Sequence, residues 1–234
     1  MLEGNVLEII YEDNHLLVIM KPAGLLSQAD ETGDTDLLAL GRDYLKKRYN
    51  KPGNVFLGLV HRLDRPASGV MVLARTSKAA ARLTAQFKGR KTDKRYLAIV
   101  EGHLEGKGSF EDYLVKDGRK SRVVSADHPK GKVAKLSWEA LGHRGGTTLV
   151  SVKLFTGRAH QIRLQFASRK HPLLGDLRYD ASREFDGKNL ALHSWLLAFE
   201  HPTREEPLCF KALPPATWDD WYAATIQDLI EKSE

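Results

Sequence analysis

Residues 59–75, LVHRLDRPASGVMVLAR, constrain the chain more than any other stretch, because apolar residues crowd both ends of a polar middle that carries a proline and a glycine. Leu59 and Val60, and then Val70, Met71, Val72, Leu73 and Ala74, read as two buried strand pieces. The bend from His61 to Gly69 has to return the chain from one to the other. Pro66 fixes its own φ and pushes Arg65 away from the helical region, while Gly69 can supply a positive φ where the chain re-enters the sheet. Asp64 is thereby placed on a rigid turn between Arg62 and Arg65. A carboxylate held by a rigid scaffold can act as nucleophile or general base, whereas an isolated acidic residue in a loop more commonly caps its turn.

The surrounding word decides between those two readings. His61-Arg62-Leu63-Asp64-Arg65, followed by Ser68-Gly69-Val70 and an apolar strand, closely resembles the catalytic signature of the RluA family of RNA pseudouridine synthases. Two positions flanking Asp64 depart from the pattern: Ala67 stands where the family often has Thr, and Pro66 where relatives vary. The N-terminal stretch agrees with the resemblance. Two β-rich runs, Val6 to Ile10 and Leu16 to Met20, enclose the turn-forming Tyr11-Glu12-Asp13-Asn14-His15, and Lys21-Pro22-Ala23-Gly24 stops the second run. A hairpin followed by Lys-Pro-x-Gly also opens the family's catalytic domain. Many relatives carry an S4-type RNA-binding domain ahead of that hairpin; the expectation here is a single catalytic domain over residues 1–234 with no N-terminal S4 domain.

Helix signals surround the Asp64 segment. Thr35 can cap a helix carrying Leu37, Leu38, Leu40, Leu45 and Tyr49 toward the core, and Ser77 a second with Ala80, Leu83 and Phe87 on one face, ending near Gly89. Both read as scaffold. The run Lys88 to Arg95 is a basic loop, by itself an ordinary solvated one, leading into the strand Tyr96 to Val100. A basic loop before Tyr-x-Ala-x-Val resembles the family's second motif, which gives Tyr96 a role beyond the usual fate of a strand tyrosine, a core aromatic with a satisfied hydroxyl. Residues 101–135 form an expected surface hairpin or excursion, and Leu136 to Leu141 pairs with Thr147 to Leu154 around His143-Arg144-Gly145-Gly146.

Thr156-Gly157-Arg158-Ala159-His160-Gln161-Ile162-Arg163 then resembles the family's third motif, and His171-Pro172-Leu173-Leu174-Gly175-Asp176 with Tyr179 resembles its tail. Arg158, His160, Gln161 and Arg163 form a donor-rich set suited to phosphate or carboxylate, or else a surface ion-pair cluster. The resemblance gives Arg163 the role of ion-pair partner to the catalytic aspartate. Further strands are expected at Leu190 to Glu200 and Leu208 to Leu213, and Thr217 with Asp220 forms a capping box for a last helix bearing Trp218, Trp221, Tyr222, Ile226 and Ile230. The two tryptophans read as core. The likeness runs from about residue 7 to about residue 214, with three motifs in order.

Charge points the same way. The 234 residues carry a formal +6, and between Arg75 and Lys135 there are 16 Lys and Arg against 7 Asp and Glu, a local +9 that favours a polyanionic partner. The single cysteine, Cys209, has no intramolecular disulfide partner and fits a reducing compartment. MLEGNVLEIIYED lacks the progression of a signal peptide, and no run of eighteen apolar residues occurs, which argues against secretion and membrane spanning. A cytoplasmic monomer is expected.

The resemblance implies an α+β pseudouridine synthase fold, a largely antiparallel mixed sheet flanked by helices and loops with its active site in a central cleft. It also implies isomerisation of uridine to pseudouridine in ribosomal or transfer RNA, with no cofactor and no metal. Asp64 would attack C1′ of the ribose or remove a proton from C2′. Arg163 would pair with Asp64, and Tyr96 would lie against the uracil and help remove the C5 proton. Arg62 would fill the space that the extruded base leaves. Arg65, Lys94, Arg95, Arg158 and His160 would contact RNA. Two other classes compete: a metal-dependent hydrolase using His61, Asp64, His160 and His193, for which no standard ligand spacing exists, and a catalytically silent RNA-binding protein of the same fold, in which Asp64, Tyr96 or Arg163 would be altered. All three residues are present.

Overall fold

The computed structural model describes residues 7–118 and 120–232; Val6, at the start of the first expected strand, lies outside the described residues. In chain order the first elements are β1 (Glu8–Glu12), β2 (Leu16–Lys21), α1 (Leu37–Arg48), β3 (Gly58–Leu59), β4 (Ser68–Ala74) and α2 (Ser77–Lys88). There follow β5 (Asp93–Glu101), β6 (Lys107–Asp117), β7 (Lys120–Val124), β8 (Lys132–Arg144), β9 (Thr147–Leu154) and α3 (Gln161–Ala167). The chain ends with β10 (Leu192–Glu200), β11 (Pro207–Lys211) and α4 (Asp219–Glu231). It forms two compact units, one of residues up to Thr92 together with Leu196–Ala212, the other of Asp93–Trp195 with Leu213–Glu234.

In the first unit β2 is central, antiparallel to β1 on one side and to β4 on the other, with β3 also antiparallel to β4. All six residues of β2 and all seven of β4 are buried, so both faces of these strands are covered and their sequences read as continuous apolar runs rather than alternating ones. On one face Leu16, Val18, Val70 and Val72 meet Ala79 and Leu83 of α2 and Leu197 and Phe199 of β10, with Ala80 and Phe87 packed alongside. The α2 face expected from the sequence is thus the face that meets the core. Each helix starts one residue from its expected cap. Asp36, not Thr35, accepts from the N–H groups of Leu38 and Ala39, and Thr76, not Ser77, accepts from Ala79 N–H. Tyr49, expected on the core face of α1, is exposed at its C-terminus.

The second unit is an antiparallel run in the order β5-β9-β8-β6-β7. Gly145 and Gly146 both have positive φ, and Arg144 pairs with Thr147, which makes the β8–β9 connection a two-residue turn of the mirror-image type that matches strand twist. Residues 101–135 do form a hairpin, β6 with β7, and β6 continues the sheet by pairing with β8. Leu164 of α3 packs with Leu114, Ala134 and Tyr179. The capping box expected at Thr217 and Asp220 does not form. Ala216–Trp218 makes a 3-10 turn, Trp218 is the N-cap with no side-chain hydrogen bond to the helix, and its ring is buried, edge-on to Phe185 and His193. Burial of that indole outweighs a cap worth about 1 kcal/mol.

Candidate active site

The Asp64 bend is built almost entirely from backbone atoms that find partners close by. Ala67 N–H donates to Asp64 O at 3.0 Å and closes the turn. Gly24 N–H donates to Arg65 O at 2.8 Å, and the Ser27 hydroxyl donates to Leu63 O at 2.7 Å. Gly69 has φ +128° at the point of re-entry to β4, the positive value that its place in the sequence suggests. Upstream, His61 Nε2 accepts from Val72 N–H at 3.0 Å while its ring stacks on Phe87 with centroids 4.6 Å apart. The turn closes through its own backbone, so the hydroxyl absent at Ala67 has no part in that closure. Asp64 itself is half-buried, flanked by the exposed Arg62 and Arg65.

Arg65 has local partners. Its guanidinium reaches Asp34 Oδ2 at 2.8 Å and donates to Gly24 O at 3.0 Å, so it braces the bend against the preceding loop. Both side chains of the ion pair are about half exposed, and such pairs contribute at most about 1 kcal/mol.

A residue read in the sequence only as the start of the Lys-Pro-x-Gly stop lies beneath the turn. Lys21, the last residue of β2, is opposite Gly69 in register and 0% exposed. Its ammonium donates to Ala67 O at 2.7 Å, Pro22 O at 2.9 Å and Arg65 O at 3.2 Å. Burial brings its pKa down to about 7, against the opposing pull of the Asp64 carboxylate and with a smaller push from Arg65. The available signal was a lysine ending an otherwise wholly apolar strand, LLVIMK.

The other expected residues lie in the second unit. Tyr96 is buried on β5 opposite Val152. Arg95 pairs with Asp93 at 2.9 Å, and Lys94 lies beside Gly157, its Nζ 3.7 Å from where a β-carbon would stand. The third motif is a loop running into α3, and Gln161 organises it: Oε1 accepts from the Thr156 hydroxyl at 2.7 Å and from Arg158 N–H at 3.1 Å, while Nε2 donates to Lys135 O at 3.1 Å. Arg158 donates through Nε to Val133 O at 2.9 Å. His160 takes a left-handed conformation, φ +57°, immediately before α3, and its Nδ1 is 2.7 Å from the Tyr179 hydroxyl.

Arg163, 4% exposed, grips Asp176, 2% exposed, through two parallel contacts: Nε to Oδ2 at 2.6 Å and a terminal nitrogen to Oδ1 at 2.7 Å. This two-pronged geometry is the strongest form of carboxylate pairing. The guanidinium also lies 5.1 Å from the centre of the Tyr179 ring. Tyr179 in turn accepts from Ser121 N–H at 3.1 Å, and burial pushes its phenol up, so it remains a neutral hydrogen-bonding group. Asp176 and Tyr179, legible in the sequence only as the tail of the third motif, therefore orient the motif's arginine and histidine. Among the described residues no group of three or more His, Cys, Asp or Glu side chains is arranged to hold a metal ion, and no helix is long and apolar enough to cross a membrane.

Comparison with known proteins gives the family. The sequence model for RNA pseudouridylate synthases matches residues 15–168. The chain is 34% identical over 220 residues to ribosomal large subunit pseudouridine synthase D of Zymomonas mobilis, covering 89% of this chain and 69% of that one. It is likewise 34% identical over 213 residues to the dual-specificity RNA pseudouridine synthase RluA of Escherichia coli, covering 88% and 92%. Among solved structures, human RNA pseudouridylate synthase domain containing 4 superposes with a TM-score of 0.75 at 25% identity, covering 91% of this chain and 90% of the human one. The α+β fold is thus the pseudouridine synthase fold, and the chain belongs to the RluA family of RNA pseudouridine synthases, isomerases that act on RNA.

Proposed function

We propose that Asp64 is the residue on which the isomerisation turns, as nucleophile at C1′ or as base at C2′ of the target uridine. The observation that carries the reading is the stapling of its turn: the carbonyls of Leu63, Asp64, Arg65 and Ala67 each accept a hydrogen bond from within the same unit. A carboxylate on so constrained a turn loses little freedom when it meets the sugar, and such pre-organisation is where much of an enzyme's rate enhancement arises. Tyr96 and Arg163 keep the roles that the family resemblance assigns them, and Arg62 the filling of the gap left by the extruded base. Arg65, Lys94, Arg95, Arg158 and His160 are the proposed RNA contacts.

The proposed substrate is structured RNA. Large-subunit ribosomal RNA is the first target to examine, because ribosomal large subunit is the wording in the names of the synthase D relatives. The name of the RluA relative, dual-specificity, supports including transfer RNA in the same search. Pseudouridine mapping in cells with and without the protein tests both: a site lost from either RNA identifies the substrate, and an unchanged map removes this reading. For the residue, Asp64→Asn should abolish pseudouridine formation while RNA affinity stays within about twofold, since the amide keeps the shape but neither attacks nor takes a proton. Turnover by Asp64→Asn near the parent rate would eliminate Asp64 from the chemistry.

A further inference from the structure

We propose that the C-terminal end of α1 is a second RNA-binding surface, which takes single-stranded RNA flanking the target, well away from the Asp64 turn. The inference rests on the reading of structured RNA as the substrate. It starts from an oddity in how the helix stops. Asn50 takes φ +50°, its N–H donates to Lys47 O at 3.3 Å, and Lys51 N–H donates to Lys46 O at 3.1 Å. This pair of bonds is a common left-handed helix stop, and it sets the last residue of the turn beside the one five positions earlier, where two apolar side chains often meet. Here those positions are Lys51 and Lys46, with Lys47 and Arg48 next in sequence to the latter, and all four are exposed. The helix dipole favours cations in the last turn, but its pull fades beyond it and does not account for Lys51. Setting Lys51 beside Lys46 places like charge by like charge, a cost that a bound anion turns into a gain.

The carboxylate at this end of the helix, Glu12, is already shared among Arg48 at 3.3 Å, Arg75 at 2.9 Å and the hydroxyls of Tyr44 and Tyr49. Arg42, Lys46, Lys47, Arg48, Lys51 and Arg75 stand against Glu12 and Asp43, six cations to two carboxylates, a net +4 outside the three motifs. An aromatic ring sits among them. Tyr49 is 44% exposed even though its hydroxyl is tied to Glu12 and the Arg75 guanidinium lies 4.7 Å from its ring centre. Those ties hold the ring in place, so little freedom is lost when a base meets it, and aromatic platforms set among cations are how proteins hold single strands without reading their sequence. An acidic protein segment would also match the charge, but the chain's family acts on RNA and the same compact unit carries the Asp64 turn. Gly69, near the start of β4, and Arg75, just past its end, are six residues apart, about 20 Å of extended chain. At about 3.4 Å per stacked nucleotide, the surface therefore meets RNA roughly six nucleotides from the target.

The test is equilibrium binding at graded salt to a uridine-containing stem-loop, bare or carrying single-stranded tails of about twelve nucleotides, longer than the roughly six needed to reach the surface. The parent should bind the tailed RNA more tightly than the bare one. Lys46→Ala, Lys47→Ala and Lys51→Ala combined should lower affinity for the tailed RNA about 10-fold and flatten its log-log salt slope by about 2, three contacts at about 0.7 each for single strands, while affinity for the bare stem-loop stays within about twofold. Lys46→Arg, Lys47→Arg and Lys51→Arg combined should bind both RNAs as the parent does. Tyr49→Ala should weaken the tailed RNA by about fivefold or more with the salt slope unchanged, since stacking is lost and no phosphate contact is. An alanine triple variant that keeps the parent's affinity and slope on the tailed RNA overturns this inference and leaves the substrate reading intact. Equal losses on both RNAs overturn it too, because they report only a weaker overall field. A parent that binds an unstructured strand as tightly as a stem-loop of the same length overturns the reading beneath it.

Discussion

Replacing Asp176 with asparagine tests how the third motif is held. The substitution keeps size and shape but removes the carboxylate that Arg163 grips through two contacts of 2.6 and 2.7 Å, in a place where both residues are at most 4% exposed. Water cannot reach in to take the carboxylate's place, so the guanidinium keeps its desolvation cost without its main compensation. Breaking one side of such a pair costs about 3–5 kcal/mol, against the 0–1 of an exposed pair such as Arg65–Asp34. For 234 residues, unfolding entropy of about 2.1 cal/mol/K per residue gives roughly 0.5 kcal/mol/K, so the midpoint should fall by about 6–10 °C. Urea unfolding gives the free energy and calorimetry the midpoint. Arg163→Met combined with Asp176→Leu should recover much of the loss, since both charges of that pair are then gone, yet should be inactive, because Arg163 is also the proposed partner of Asp64. A loss below about 1 kcal/mol for Asp176→Asn, or a double variant no more stable than the single one, would refute the assignment of a buried, tightly coupled pair.

Three further outcomes are expected. Lys21 has a folded pKa of about 7, below the ordinary 10.5, so between those values the unfolded chain binds a proton that the folded chain does not. Stability of the parent relative to Lys21→Met should therefore rise with pH across that window, by at most about 5 kcal/mol at 1.36 kcal/mol per pH unit, and the burial penalty should be fully present below about pH 7; urea titrations of both proteins at several pH values check it. RNA binding should weaken with salt at a log-log slope of roughly −3.5 to −4.5 if about five phosphates are neutralised, as filter binding at graded salt would show, and an affinity indifferent to salt would leave the local +9 as mere solvated surface. Arg62→Ala should slow turnover far more on a folded stem-loop than on a flexible single strand, because only the former carries the full unstacking cost of a few kcal/mol, whereas Tyr96→Phe should slow both alike; equal losses for Arg62→Ala in paired kinetics would remove its extrusion role.

The pieces legible in the sequence were those whose causes are local. Proline, glycine and the flanking apolar runs defined the Asp64 bend, and the structure has it between β3 and β4 with Gly69 at φ +128°. The turn read at His143 to Gly146 is present but shorter, with His143 and Arg144 still paired in β8 and only Gly145-Gly146 in the loop, and the Ala80, Leu83 and Phe87 spacing named the face of α2 that packs inward. Helix starts were displaced by one residue at Asp36 and Thr76, because Thr-Asp and Thr-Ser each offer two adjacent capping oxygens and only the backbone path selects between them. The capping box at Thr217 failed for a non-local reason, the burial of Trp218.

Family and reaction class were likewise carried by short words of adjacent residues, each a self-contained piece of turn or strand chemistry. What supports those words was decided only by the tertiary structure. Lys21 lies 44 and 46 residues from two of the carbonyls it serves, Arg163 is 13 residues from Asp176, and Tyr179 meets Ser121 across 58. No periodicity or spacing rule links positions so far apart. Sequence determines torsional preference and the side of an element that seeks burial, because both act within a few residues. Which charge is buried beside which carbonyl or carboxylate is determined when strands and loops distant along the chain close upon one another and exclude the water that would otherwise have solvated each group alone.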